Sequence, residues 1–99
     1  MARVLLDLND PVFQEGWFAL ERDEVLAVLL TLKKIHDMEW NQVYQDRGLR
    51  WEAILSRPGP LGQRIYSLRV TKRMRAVAYR DRDVLRFLSL HADHDSAYG

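Results

Sequence analysis

The last third of the chain, "RIYSLRVTKRMRAVAYRDRDVLRFLSLHADHDSAYG" (residues 64–99), decides the fold because its polarity changes with the period of β-strands. In "IYSLRV" (65–70), alternate side chains are apolar or aromatic, which predicts a half-buried strand. "RAVAY" (75–79) predicts a second strand, "RDRD" (80–83) a tight turn and "VLRFLSL" (84–90) a third strand. This stretch therefore predicts an antiparallel meander.

The first half of the chain predicts helices instead. Asp10 followed by Pro11 is typical of a helix start, because the carboxylate caps free amides and proline fits the first turn; this helix should run to about Leu20. A second helix is predicted from Glu24 to about Met38, where apolar residues recur every three or four positions. We expect it to pack on the sheet through Leu29, Leu32 and Ile35.

The connections complete the expected architecture. "EWNQVYQD" (39–46) predicts a short third helix that ends near Gly48, and "SRPGPLG" (56–62) predicts a loop. The β-like run "RVLLDL" (3–8) is expected at an edge of the sheet. The predicted fold class is α+β, with N-terminal helices packed on one face of a small antiparallel sheet in a single domain, residues 1–99.

Composition excludes several classes of protein. A chain of 99 residues with 47% hydrophobic content suits one modest core. There is no cysteine, so disulfides, thiolate metal sites and cysteine nucleophiles are excluded. The apolar run "VLAVLLTL" (25–32) is too short to span a membrane, and the N-terminus does not read as a signal peptide, so a cytoplasmic protein with no membrane partner is expected.

Charge is distributed unevenly along the chain. Residues 1–46 contain four Lys or Arg and nine Asp or Glu, a net charge of −5, whereas residues 47–99 contain eleven and five, a net charge of +6. This asymmetry favours a polyanionic partner for the basic half, although a solvated basic surface explains it equally well.

The strand alternation predicts where the basic side chains point. Arg69 and Arg75 should share the sheet face opposite the helices. A guanidinium keeps its charge at physiological pH and can hold a phosphate through two parallel hydrogen bonds. Five further basic residues surround this pair in the sequence and are candidate RNA contacts: Arg64, Lys72, Arg73, Arg80 and Arg86.

Residues 66–98, "YSLRVTKRMRAVAYRDRDVLRFLSLHADHDSAY", resemble the sheet of the RelE/ParE superfamily of toxins from bacterial toxin–antitoxin systems. The shared pattern is a tyrosine-led strand that ends in arginine, an "R-[ALV]-V-x-[YF]" strand, a short acidic turn, a hydrophobic strand and a polar tail with His or Arg before Tyr. The helical half is similar in element order only.

The resemblance implies a toxin whose partner is a cognate antitoxin protein. RelE-like members cut mRNA in the ribosomal A site without metal, whereas ParE-like members block DNA gyrase. An inactive, antitoxin-binding member of the family is the third alternative. We expect the first, a ribosome-dependent mRNA endonuclease, with mRNA and the ribosome as partners and no cofactor.

By the same resemblance, Arg69, Arg75 and Tyr98 fall at catalytic positions, and His91 or His94 falls where other members use histidine or arginine. Either histidine would act as base or acid, and the tyrosine would stack on a base. Ser67 departs from the pattern, because one branch of the family has lysine there. The carboxylates of Asp93 and Asp95 also oppose RNA binding.

A metal site is not expected. "HADHD" (91–95) offers imidazoles and carboxylates that suit a divalent ion, but the sequence has no second cluster of such ligands.

Overall fold

The computed structural model describes residues 2–92, which form three helices and one five-stranded sheet. The strand order is β1-β5-β4-β3-β2, and only β1 and β5 are parallel neighbours. The predicted α+β class with N-terminal helices is confirmed, but the parallel edge pair makes the sheet mixed. The strands are β1 (Leu5–Asp7), β2 (Glu52–Ile54), β3 (Ile65–Arg69), β4 (Arg75–Asp81) and β5 (Val84–His91).

The helices are α1 (Pro11–Phe18), α2 (Arg22–His36) and α3 (Trp40–Gln45). Asp10 starts α1 as predicted, because its side chain accepts a hydrogen bond of 2.8 Å from the amide of Val12. Among residues 2–92, none of the helices combines the length and the apolar character that a membrane span requires.

The stripe by which α2 packs on the sheet differs from the prediction at one position. Val28, Leu32 and Ile35 are buried, whereas Leu29 is 42% exposed, so its predicted packing on the sheet was wrong. Each residue turns the helix by about 100°, and Leu29 is therefore rotated away from the stripe that Val28 begins.

The third helix ends earlier than predicted. It stops at Gln45, and the carboxylate of Asp46 accepts hydrogen bonds from the amide of Leu49 and from Lys34 of α2, both at 2.9 Å. The residue with a left-handed backbone here is Arg50, with φ of 48°, and not Gly48. The hydrogen bonds of Asp46 hold the segment that connects α3 to β2. The sequence did not predict β2.

The sheet has apolar side chains on both faces. Leu68, Ala78 and Phe87 belong to the main core beneath the helices. On the other face Ile65 and Val77 are fully buried in a second, smaller cluster. The loop of residues 55–64 covers part of this cluster. Its backbone at Gly59 lies so close that a β-carbon there would be only 2.8 Å from the side chain of Ile65. We call the side of the sheet that faces away from the helices the open face. The centre of this face is covered.

Candidate functional site

Three predicted site residues lie in one row across three adjacent strands. Arg69 of β3 is paired with Arg75 of β4, and Arg75 is paired with His91 of β5. Directly opposite residues share a face of the sheet, with β-carbons about 5 Å apart. The row lies on the open face, because Arg75 is two residues before Val77 of the second cluster. Tertiary structure thus joins residues that are up to 22 positions apart in the sequence.

Arg75, at the centre of the row, is buried and not a surface charge, with 7% exposure. Its Nη1 atom donates to the carbonyl oxygens of Thr71, Met74 and Lys72 at 3.0, 3.2 and 3.4 Å. These carbonyls belong to the turn between β3 and β4. The guanidinium therefore holds the turn against the sheet. Because it is buried, its positive charge lies in a region of low dielectric constant beneath the turn.

The turn carries two further cations. Lys72 and Arg73 are both exposed, and the hydroxyl of Thr71 accepts hydrogen bonds from the amides of Arg73 and Met74 at 3.3 and 3.0 Å, which shapes the turn. Within residues 2–92, no carboxylate lies within 4.0 Å of the charged groups of Arg69, Lys72 or Arg73. A cluster of positive charge without local counter-charges attracts anions.

His91 has a hydroxyl partner that sequence reasoning missed. The Oγ atom of Ser89 lies 2.8 Å from Nε2 of His91, and both residues are half-buried. The signal available in the sequence was the spacing of two residues, which places side chains on the same face of a strand.

Arg80 lies on the opposite side of the sheet from this row. Its guanidinium carbon is 4.3 Å from the ring centroid of Trp40, and its Nη1 donates to the hydroxyl of Tyr44 at 2.8 Å. Trp40 in turn contacts Trp51, whose ring stacks on Tyr66 at 4.4 Å. This aromatic cluster joins Trp40 to Trp51 and explains the position of Arg80 as packing.

Arg86 is on the open face but is neutralised by carboxylates. It forms ion pairs with Asp7 of β1 and, at 3.1 Å, with Asp81 of β4. The backbone amide of Asn9, followed by Arg86, holds the pKa of Asp7 below its usual value. Hydrogen bonds to Asp7 and Asp81 raise the pKa of Arg86.

The five candidate RNA contacts therefore lie in separate parts of the surface. Arg64 is exposed just before β3, at the opposite end of that strand from Arg69. Arg80 and Arg86 have aromatic and acidic partners, whereas Lys72 and Arg73 remain beside the row. The predicted role of all five in RNA binding stays a prediction.

Two predicted site residues, His94 and Tyr98, lie outside the described residues. Ser67 is buried on the open face, in register with Val77. Among residues 2–92 there is no group of three or more His, Cys, Asp or Glu side chains placed to hold a metal ion.

Comparison with known proteins finds similarity at the level of fold. No protein-family model and no curated protein matches the chain. Among solved structures, the chain is similar to the crystal structure of a copper-bound mutant toxin from Helicobacter pylori, with 18% identity and a TM-score of 0.51 over 97% of this chain and 98% of that one. The shared architecture thus extends over nearly the whole of both chains.

Proposed function

We propose that this chain is the toxin of a toxin–antitoxin pair and that it cleaves mRNA on the ribosome in the cytoplasm. The observation that carries the proposal is the row Arg69, Arg75 and His91, which unites two cationic groups and a titratable one on one face of the sheet. The similar fold of a bacterial toxin supports the toxin assignment, and the sequence resemblance to RelE/ParE toxins supports the chemistry.

The proposed reaction is attack of a ribose 2′-hydroxyl on the neighbouring phosphate. It requires a base for the hydroxyl proton, cations for the charge that builds on the phosphate oxygens, and an acid for the departing 5′-oxygen. No step requires a metal ion or a cofactor. RNA is the substrate because DNA lacks the attacking hydroxyl.

The residues of the row suit these roles. His91 exchanges a proton with the substrate, since an imidazole can act as a general acid or a general base. Arg69 holds the phosphate, and Lys72 and Arg73 on the adjoining turn bind the flanking phosphates of the strand. Arg75 supports the turn and adds positive charge behind the phosphate. His94 and Tyr98 are proposed as the second proton-transfer group and the base-stacking group.

Ser67 favours a second candidate function. Where one branch of RelE-like toxins has a lysine, this chain has a buried serine, so one cation of that branch is missing. A ParE-like inhibitor of DNA gyrase needs no such cation. Inhibition of gyrase through a surface alone is therefore the alternative.

The test is inducible expression of the wild type, Arg69→Ala, His91→Gln and a chain that ends at His94, with mRNA 5′ ends mapped in each culture. We expect growth arrest and A-site cleavage in the wild type and neither in the three variants. The matched control is His36→Gln, which changes an exposed histidine on α2 and should behave as the wild type.

Two results would reject the nuclease. One is growth arrest that persists in Arg69→Ala and His91→Gln. The other is arrest of the wild type with intact mRNA and accumulating DNA breaks, which would assign the protein to gyrase inhibition. Co-purification with the product of an adjacent small gene, and relief of arrest by that product, test the antitoxin partner separately.

A further inference from the structure

We propose that Ser89 is a positioning residue for His91 and that a β-bulge in β5 turns both side chains to the open face, on which the row lies. The inference rests on the proposed function, because the imidazole it positions is the proposed proton-transfer group. It extends the proposed function by explaining how the imidazole ring of His91 is held in position.

The bulge decides the face on which His91 lies. Ala78 is paired with Phe87, but the preceding residue, Val77, is paired with Ser89, so β5 has one extra residue, Leu88, at this point. Before the bulge, the side chains of β5 on the open face have even numbers, as Arg86 does in its ion pairs with Asp7 and Asp81. After the bulge they have odd numbers.

Without the extra residue, strict alternation would turn Ser89 and His91 toward the helices and away from Arg75. The bulge turns them to the open face and packs the partly buried Leu90 against the main core, beside Gly16 of α1. Bulges often redirect a side chain next to an active site, and this one has the same effect.

The hydroxyl of Ser89 then holds the ring in either protonation state. A serine hydroxyl both donates and accepts, so at 2.8 Å it can donate to a neutral Nε2 or accept from a protonated one. The orientation of the imidazole therefore need not change when the ring takes up or releases a proton. A methyl group in place of the hydroxymethyl group would remove this hydrogen bond to the ring.

A hydroxyl also positions the ring without adding charge. Within residues 2–92, the other ionisable side chains of the row and of the turn between β3 and β4 are cationic. Arg75 lies opposite His91, Arg69 lies one strand further away, and the turn carries Lys72 and Arg73. In the register row that contains Ser89, the acidic residue is Glu52 of β2, which is separated from Ser89 by β3 and β4. A carboxylate in place of Ser89 would hold an imidazole equally well but would repel the phosphate.

The experiment compares Ser89→Ala with Ser89→Thr in the full chain. The ¹⁵N shifts of the His91 ring nitrogens report its tautomer and hydrogen bonding without any need for activity, and His36 serves as the internal control. We expect Ser89→Ala to change the His91 ring shifts and to lower the kcat of ribosome-dependent cleavage roughly tenfold to a hundredfold, as small misplacements do. KM for the ribosome should stay unchanged, and Ser89→Thr should restore both the shifts and the rate.

The outcomes separate this inference from the proposed function. Unchanged His91 shifts in Ser89→Ala, or a normal cleavage rate in that variant, would overturn the role of Ser89 and leave the nuclease intact. A threonine variant that folds, by circular dichroism and urea unfolding, but fails as the alanine variant does would also overturn it. Altered shifts in Ser89→Ala, restored in Ser89→Thr, together with a wild type that cuts no mRNA would support the positioning of His91 and reject the nuclease.

Discussion

The molecule uses arginine in two regions that differ in what surrounds the guanidinium. At the turn between β3 and β4, Arg69 and Arg73 have no acidic partner within residues 2–92. At the other end of β4, Arg86 contacts two carboxylates, and Arg80 contacts an aromatic ring and forms an ion pair of 3.7 Å with Asp83. The first region attracts anions, whereas in the second region the charge is already compensated by the protein itself.

The number of arginines on a strand therefore does not measure its affinity for phosphate. Arg80 and Arg86 belong to the same meander as Arg69, but Asp7 comes to Arg86 from β1, 79 residues away in the sequence. Only cations without such partners contribute fully to binding an external polyanion. The contrast is tested by the five predictions below, in order of decreasing effect.

The largest effect is expected from His91→Gln. Glutamine can still hydrogen-bond to Ser89 but cannot exchange a proton, so cleavage of mRNA in a reconstituted ribosome assay should fall roughly 10²- to 10⁴-fold. His36→Gln on α2 should cut at the wild-type rate. Equal rates for the two variants would remove His91 from the reaction.

Arg69→Ala and Arg86→Ala compare the two regions directly. Loss of Arg69 should lower the cleavage rate by roughly 10²- to 10³-fold, because it removes a donor to the charged transition state. Arg86→Ala should leave the rate unchanged, since Asp7 and Asp81 already compensate that charge. A similar loss of rate in both variants would contradict the proposed division of the basic face.

Arg75→Ala should act on stability as well as on activity. Without the guanidinium, the carbonyl oxygens of Thr71, Lys72 and Met74 lose a hydrogen-bond donor. This loss should lower the free energy of unfolding by about 1–3 kcal/mol. Urea unfolding measures this, and Arg75→Lys, which retains a cationic donor, should recover part of it. Full stability of Arg75→Ala would show that the turn does not depend on the guanidinium.

Arg80→Ala should lower the free energy of unfolding by about 1 kcal/mol without changing cleavage, because Arg80 packs over Trp40. The matched control is Arg82→Ala, since Arg82 is an exposed arginine two residues further along the same hairpin. Reduced RNA binding by Arg80→Ala, with stability intact, would instead assign Arg80 to the interface.

The smallest effect concerns pH and Asp7. Its pKa in the folded protein is lowered, first by the amide of Asn9 and then by Arg86, so its contribution to stability is present above the unfolded-state pKa. That contribution is lost as the pH falls through the lower folded-state value. Asp7→Asn should therefore show a slightly weaker loss of stability than the wild type when urea unfolding is repeated below about pH 4. Identical acid profiles would show that Asp7 does not contribute.

Local patterns explain why much of the fold was predictable. The period of two in residues 65–70, 75–79 and 84–90 identified three strands, and Asp10 with Pro11 identified the start of α1. These signals lie within a few neighbouring residues, so they do not depend on the rest of the chain. The strand β2 was missed because its three residues carry too short a pattern.

The shared sheet face of Arg69 and Arg75 was predictable, but the surroundings of these two side chains were not. Arg69 and Arg75 followed from alternation in one hairpin, where the register depends on a short connection. The burial of Arg75 was not visible, because it results from the carbonyls of the turn that folds around its side chain.

Three features follow from local composition and can be read from neighbouring residues: the secondary-structure periods, the helix start at Asp10 and the excess of basic residues after residue 46. Two other features depend on contacts between distant segments: which arginines lack an acidic partner among the described residues, and on which face of the sheet His91 lies. Asp7 reaches Arg86 through the parallel pairing of β1 with β5, and the extra residue of the bulge turns His91 toward Arg75. Both results depend on strand register, which is set by packing between segments far apart in the chain.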